Sequence, residues 1–150
     1  MVRGEWSVPR ALEARLVRSG LHVPQPVPGL LLIDTGASHT CIGEDVAQAL
    51  GLRPTSVGVT YGAGGRHQSP EYLAHLSFGV PVGHGQYGTI SREQTSMAVP
   101  DLDLQFARVQ QKELPAGVVW RLTGIIGRDI LRNMLFAYDG PGGSFTLSVP

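Results

Sequence analysis

Two short uninterrupted apolar runs stand out in the pattern of hydrophobic and polar positions. The first, residues 30–33, ends abruptly at Asp34, and the second, residues 125–126, is framed by Gly124 and Gly127. A short apolar run bounded by turn-forming residues is typical of a strand buried on both faces. The pattern therefore predicts two buried strands, one immediately before Asp34 and one immediately before Gly127.

A different pattern, the alternation of apolar residues with glycine and threonine, covers residues 57–61. The glycine-rich stretch 62–65 follows it, and a further extended segment covers residues 66–78. Strand, glycine turn and strand in succession are typical of a β-hairpin. A second, closing hairpin is expected at the end of the chain, with strands over residues 136–138 and 144–149.

Helical spacing occurs only over short stretches. Residues 43–50 show it, with Gly51 as a natural C-cap, and residues 128–135 have the character of a second short helix. Near the N-terminus, alternation over residues 12–17 weakly predicts a strand, and a short helix over residues 10–18 is the competing interpretation.

The segments between these elements are rich in turn-forming residues. Three alternating prolines in residues 23–29 exclude a helix and a central strand there, so residues 1–29 are interpreted as an N-terminal strand and connector. Residues 79–100 are expected to contain one or two short strands. A strand is predicted over residues 104–109 and a loop with apolar contacts over residues 114–122.

Composition supports a single all-β domain with one or two short helices. The chain has 150 residues, enough for one hydrophobic core, so residues 1–150 are taken as one domain. Glycine (20) and proline (11) make up about a fifth of it, whereas average usage of the two is roughly 12%. That excess favours a fold with many turns over a helix bundle.

Charge and hydropathy exclude several classes of function. Lys and Arg (12) balance Asp and Glu (12), so the chain lacks the basic surface of a nucleic-acid-binding protein. No apolar stretch approaches the roughly 20 residues of a membrane span, and residues 1–20 contain no apolar core of a secretory signal. We therefore expect a cytoplasmic protein with no nucleic-acid or membrane partner. The single cysteine, Cys41, excludes an internal disulfide and an all-cysteine metal site.

The strongest candidate for chemistry is the sequence Asp34-Thr35-Gly36, which directly follows the first apolar run. A strand that ends in a carboxylate holds that carboxylate at the edge of a dry core. The Thr35 hydroxyl can lock the turn by a hydrogen bond, and Gly36 permits close approach of the backbone. The alternative is an ordinary turn after a strand, and three residues alone do not decide between the two.

Two further features in the right order make the pattern specific. The glycine-rich hairpin over residues 57–78 lies downstream of residues 32–38, and the segment 125–131, an apolar pair followed by glycine and a short helix, comes later still. With these three motifs the chain, from about residue 30 to residue 149, resembles the retropepsin-like aspartic proteases, the retroviral-type family. Its hairpin would be the flap of that family.

The resemblance implies a closed, acid-protease β-barrel that works as an obligate homodimer and hydrolyses peptide bonds in an extended peptide or protein substrate. It assigns catalysis to Asp34, Thr35 and Gly36, with no metal and no cofactor. The substrate-binding residues it implies lie in the active loop and the flap: Ala37, Ser38, Tyr61, Gly62, Ala63, Gly64 and Gly65.

The residues themselves also indicate a dimer, because the chain contains a single Asp-Thr-Gly. Asp129, near the second apolar run, falls inside the predicted helix, so paired carboxylates require a second chain. The sequence departs from the family at Ser38, where retroviral enzymes often have an aspartate that pairs with the arginine matching Arg128. Arg128 is therefore expected to have another partner.

Other interpretations stay open at this stage. A catalytically silent peptide-binding or dimerisation module could have the same fold, and a small-molecule binder could use an unrelated β-barrel. Cys41 and His39 are two residues apart, but no further ligands are spaced to complete a metal site, so Cys41 is interpreted as a small core residue.

Overall fold

The computed structural model describes residues 1–62, 65–83, 86–102 and 121–148 of the chain. Within them the chain forms nine strands and three short helices. In chain order these are β1 (Val2–Ser7), α1 (Arg10–Arg18), β2 (Val27–Ile33), β3 (Cys41–Gly43), α2 (Glu44–Ala49), β4 (Ser56–Gly62), β5 (Gly65–Gly83), β6 (Gln86–Val99), β7 (Leu122–Ile126), α3 (Arg128–Leu131), β8 (Leu135–Asp139) and β9 (Ser144–Ser148).

Six of the strands close into a barrel. Their order is β1-β2-β7-β3-β6-β5, and pairing of β1 with β5 completes the ring, while β4 extends the sheet beyond β5. The apolar runs form β2 and β7, which lie side by side and parallel, with Ile33 opposite Ile126. This confirms the all-β closed barrel and the two buried strands. Because β2 and β7 pair in parallel, the segments that follow them leave the barrel at the same end.

The barrel is filled from alternate positions of its strands. On β5 the even-numbered residues Ala74, Leu76 and Phe78 are buried and pack with Trp6 of β1 in one hydrophobic core. Helix α2 adds Val46 and Ala47 to that core, which confirms the helix expected over residues 43–50. Burial alternates along β5 from Tyr72 to Val80, as is typical of a strand with one face on the core.

Several predicted boundaries are wrong, each for a physical reason. Residues 10–18 form α1, the competing interpretation, because Leu12 can pack against the core while the charged side chains stay in water. Pro28 lies inside β2, opposite Glu5, which a central strand should not allow. Because β2 pairs with β7 only from Leu30 onward, Pro28 has a neighbouring strand on one side only. Its missing backbone N–H therefore leaves no carbonyl of β7 without a partner.

The segment 79–100 also differs from expectation. Instead of one or two short strands, it continues β5 to Gly83 and forms the whole of β6, in a hairpin whose register runs from Glu71 opposite Met97 to Gly83 opposite Gln86. The closing hairpin is confirmed as β8 and β9, paired in a sheet of their own. The predicted helix over 128–135 is only the four residues of α3, and the described residues contain three helices where one or two were expected.

Two predictions fall outside the described residues: the strand over 104–109 and most of the loop over 114–122. In the part of the chain that is described, no helix is long and apolar enough to cross a membrane.

Candidate active site

Asp34 is the first residue after β2, and backbone hydrogen bonds hold it in a tight turn. Its N–H donates to the Ile126 carbonyl of β7 at 3.1 Å, and the Ala37 N–H donates to its carbonyl at 3.2 Å. One carboxylate oxygen, Oδ1, accepts a bond of 2.8 Å from the Gly36 N–H. The side chain is half-buried. The turn therefore presents one carboxylate in a fixed orientation at the end of the barrel's parallel strands.

Gly36 lies close to the Asp34 carboxylate in this turn. A Cβ on it would lie 3.0 Å from Asp34 Oδ1, the same oxygen that its N–H donates to. That contact is tighter than an unstrained carbon–oxygen contact, so a larger residue would push the carboxylate away from its position.

Arg128, at the start of α3, wraps around the Asp34 loop. Its guanidinium donates to the Thr35 carbonyl at 2.9 Å and to the Gly36 carbonyl at 3.2 Å. Its backbone N–H donates to the Ala37 carbonyl at 2.9 Å. Position 38 is a serine, so Arg128 was expected to have a partner other than an aspartate there. That partner is the backbone of the Asp34 loop.

Behind the loop lies a buried polar network that sequence reasoning missed. The Thr40 hydroxyl donates to Asp129 Oδ1 at 2.7 Å and accepts from the Gly127 N–H at 3.2 Å. The other carboxylate oxygen of Asp129 accepts from Gln94 Nε2 at 2.8 Å. Thr40 is fully buried and Gln94 nearly so. The network joins the residue before β3 to β6 and α3, and nothing in the local sequence around Thr40 signals it.

Gly127 allows the chain after β7 to pack closely against the residues that follow the Asp34 loop. A Cβ there would lie 2.5 Å from the carbonyl carbon and oxygen of His39, which are backbone atoms that cannot move aside. Glycine at this position lets the chain after β7 pack directly against residues 39–40. The framing glycine seen in the sequence therefore serves close packing behind the active loop.

Cys41 points into the same region. Burial, with smaller contributions from the negative charges of Asp129 and Asp34, raises the pKa of the Cys41 thiol to about 11. The thiol is thus held in its protonated form, as befits a small residue at the edge of the core rather than a nucleophile. Its Sγ donates a weak hydrogen bond to the His39 carbonyl at 3.5 Å.

The hairpin predicted over residues 57–78 is present as β4 and β5, which pair from Ser56 opposite Glu71 to Gly62 opposite Gly65. At its base the Thr55 N–H and hydroxyl both donate to the Glu71 carbonyl, at 2.8 and 3.2 Å. Of the residues assigned to the flap, Gly65 has a φ of +96°, in the region that favours glycine.

The structure groups the predicted site residues in two sets. Asp34, Thr35, Gly36, Ala37 and Ser38 form one continuous loop after β2. Tyr61, Gly62 and Gly65 are close together at the far end of the β4–β5 hairpin, with Tyr61 opposite Arg66. Ala63 and Gly64 lie outside the described residues.

Comparison with known proteins places the chain in a family. A family model described as aspartyl protease matches residues 24–130, which include the Asp34 loop, the β4–β5 hairpin and the start of α3. A search of curated proteins found no match to the chain.

Proposed function

The chain belongs to this aspartyl protease family, which is part of the retropepsin-like clan, and on that premise we propose that it is an endopeptidase in which Asp34 residues of two identical chains act together. The observation that carries the proposal is the Asp34 loop, whose carboxylate is held by its own turn and whose backbone is clamped by Arg128. A fixed orientation favours catalysis because a reacting group that is already oriented loses little conformational entropy in the transition state.

The hydrogen bonds of Asp129 support a second chain as the source of the second carboxylate, because both of its oxygens already accept hydrogen bonds within this chain. Asp129 accepts hydrogen bonds from Thr40 and Gln94 on its two oxygens and lies behind the loop. Asp34, in contrast, keeps one oxygen, Oδ2, for which the described residues offer no hydrogen-bond donor. Two copies of Asp34 facing each other would provide the pair.

The chemistry of such a pair follows from electrostatics. Two carboxylates about 3 Å apart share one proton, because two negative charges at that distance repel strongly. The ionised member accepts a proton from a water molecule held between them, and that water attacks the carbonyl carbon of the peptide bond. The protonated member donates to the carbonyl oxygen, and a proton then passes to the leaving amine as the carbon–nitrogen bond breaks. Every atom in this step comes from the carboxylates, water and peptide.

Two exposed apolar surfaces are available, one for the dimer interface and one for contact with the substrate. The β8–β9 hairpin is a separate two-stranded sheet that packs Leu147 into the core and exposes Leu135 (67%) and Tyr138 (69%), apolar surface of the kind that association buries. The β4–β5 hairpin exposes Val57 (65%), which is suited to contact apolar side chains of an extended peptide. We assign β8–β9 to the interface between the two chains and β4–β5 to the cover over the substrate.

Cleavage of a diverse peptide pool between about pH 4 and 8 tests the activity, with Asp34→Asn as the inactive variant. Asp101→Asn is the matched control, since Asp101 is exposed and has a φ of 50° that asparagine also tolerates. We expect the wild type and Asp101→Asn to cleave and Asp34→Asn to be silent. Cleavage that survives in Asp34→Asn would refute the assignment of Asp34. A folded dimer without any cleavage would favour the silent peptide-binding module.

Mixing the wild type with Asp34→Asn tests the shared site. If one active centre needs Asp34 from both chains, a fully exchanged equal mixture retains roughly one quarter of the activity, since only one dimer in four has two intact chains. If each chain works alone, half of the activity remains. Sedimentation at micromolar concentration accompanies the assay, and a persistent monomer would contradict the proposal.

A further inference from the structure

A groove on the outside of the barrel, away from the Asp34 loop, is built from three separate elements. It has a volume of about 490 Å³, which lies in the range of ligand-binding clefts. One wall is the start of α1, the other is the segment between α2 and β4, and β5 contributes the floor. The residues that line it are Pro9, Ala11, Leu12, Arg15, Gly51, Leu52, Arg53, Thr55 and Leu73.

The inner part of the groove is apolar surface that folding leaves in contact with water. Leu12, Leu52 and Leu73 come from the three different elements, and each is only partly buried. Leu12 and Leu52 also touch the hydrophobic core of the barrel, so their backbones are firmly placed. A large apolar side chain from another molecule would complete the burial of these leucines.

The rim of the groove is positively charged. Arg15 and Arg53 both line it, no acidic residue does, and neither arginine forms an ion pair with any described residue. Both side chains are exposed. Unpaired guanidinium groups beside an apolar floor match a ligand that carries a carboxylate next to a large apolar side chain.

The groove also touches the base of the β4–β5 hairpin. Thr55, in its wall, binds the Glu71 carbonyl through both its N–H and its hydroxyl. A ligand in the groove therefore lies beside the segment that, in the proposed function, covers the substrate.

We propose that this groove is a docking site for an acidic, apolar peptide segment of the protein substrate, outside the segment that is cleaved. The segment inserts a leucine-like side chain among Leu12, Leu52 and Leu73 and places flanking carboxylates on Arg15 and Arg53. The assignment of the ligand to the substrate rests on the proposed protease function, whereas binding of the peptide itself does not.

Fluorescence anisotropy with the Asp34→Asn chain tests binding without cleavage. The probe is a labelled peptide Gly-Glu-Leu-Leu-Glu-Gly, compared with the peptide in which glutamine replaces both glutamates. We expect the glutamate peptide to bind at least tenfold more tightly. Arg53→Glu and Arg15→Glu should each weaken it at least tenfold, whereas Arg18→Glu, the same charge change on α1 outside the groove, should change it less than threefold. Each fold-change reflects the loss of one charge-assisted contact.

A variant that leaves the charges intact tests the apolar part. Ala11 is exposed in the wall of the groove, so Ala11→Trp should fill the groove and abolish binding without unfolding the protein. Equal binding of the two peptides, equal effects of Arg53→Glu and Arg18→Glu, or full binding by Ala11→Trp would each overturn the proposal. If octanoate binds as tightly as the peptide, the ligand of the groove is a fatty-acid anion and the peptide proposal is overturned. If Ala11→Trp changes the oligomeric state, the groove binds a second copy of the chain and the proposal is likewise overturned.

Cleavage assays separate this inference from the proposed function. A wild type that binds the glutamate peptide but cleaves nothing would leave the docking site standing and refute the protease. A wild type that cleaves the peptide pool but binds neither probe would refute the docking site alone. If both hold, a substrate that carries the glutamate segment beyond the cut site should show a lower KM with an unchanged kcat, and Arg53→Glu should remove that difference.

Discussion

Replacing Thr40 with valine removes one hydroxyl from the centre of the network behind the Asp34 loop while keeping the shape of the side chain. The Thr40 hydroxyl donates to Asp129 at 2.7 Å and accepts from the Gly127 N–H at 3.2 Å, in a position with no solvent exposure. A hydrogen bond to a charged group contributes about 1.5–3 kcal/mol, and a buried N–H left without an acceptor costs about 1–3 kcal/mol. We therefore expect Thr40→Val to lower the free energy of unfolding by about 4 kcal/mol.

Thermal unfolding followed by circular dichroism, at one fixed protein concentration, measures this effect. In a chain of this size each kcal/mol shifts Tm by about 2–4 °C, so Thr40→Val should unfold about 8–16 °C below the wild type. Thr40→Ser is the matched control, because it keeps the hydroxyl and loses one buried methyl group worth about 1 kcal/mol. If valine and serine at position 40 give the same Tm, the hydroxyl contributes nothing and the reasoning is refuted.

Four further predictions concern three residues around the Asp34 loop. Arg128→Ala removes both guanidinium bonds to the loop carbonyls, so kcat for peptide cleavage should fall more than tenfold with KM nearly unchanged; an unaltered kcat would contradict this role. Gly127→Ala forces a Cβ to within 2.5 Å of the His39 backbone, so urea unfolding should show a loss of at least about 2 kcal/mol, and wild-type stability would contradict the packing argument. Because the pKa of the Cys41 thiol is raised to about 11, iodoacetamide at neutral pH should alkylate Cys41 in the folded protein roughly a hundred times more slowly than it alkylates a thiol of pKa 9.0. Equal rates would contradict the raised pKa. Because the folded-state pKa is the higher one, the stability contributed by the neutral thiol is complete below about pH 9 and is lost as pH rises toward 11, a slope that Cys41→Ser should remove.

Much of the fold was predictable because it rests on local patterns. The uninterrupted apolar runs of β2 and β7 and the alternation of β4 are periodicities that burial imposes directly on a sequence. The choice between strand and helix for residues 10–18 and the course of β2 through Pro28 were not predictable in the same way, because both depend on which neighbour each residue has. Pro28 is accepted in β2 since β7 pairs only beyond it, and no local sequence pattern encodes that register.

Some features of the candidate site were likewise predictable from the sequence, and others were not. The sequence by itself determined that one carboxylate, Asp34, follows a buried strand, that a glycine hairpin and a second apolar run come after it in a specific order, and that one chain supplies a single Asp-Thr-Gly. These are properties of residue type and spacing, which the chain carries whether or not it is folded.

Only the tertiary structure decided what surrounds Asp34. Parallel pairing of β2 with β7 brings Arg128 and Asp129 to a loop more than ninety residues earlier in the chain, where Arg128 binds its carbonyls. The same folding gives the Asp129 carboxylate its two partners, Thr40 and Gln94, which come from distant parts of the chain. Hydrogen bonds between residues so far apart depend on distance and direction in space, and neither quantity exists until the barrel has closed.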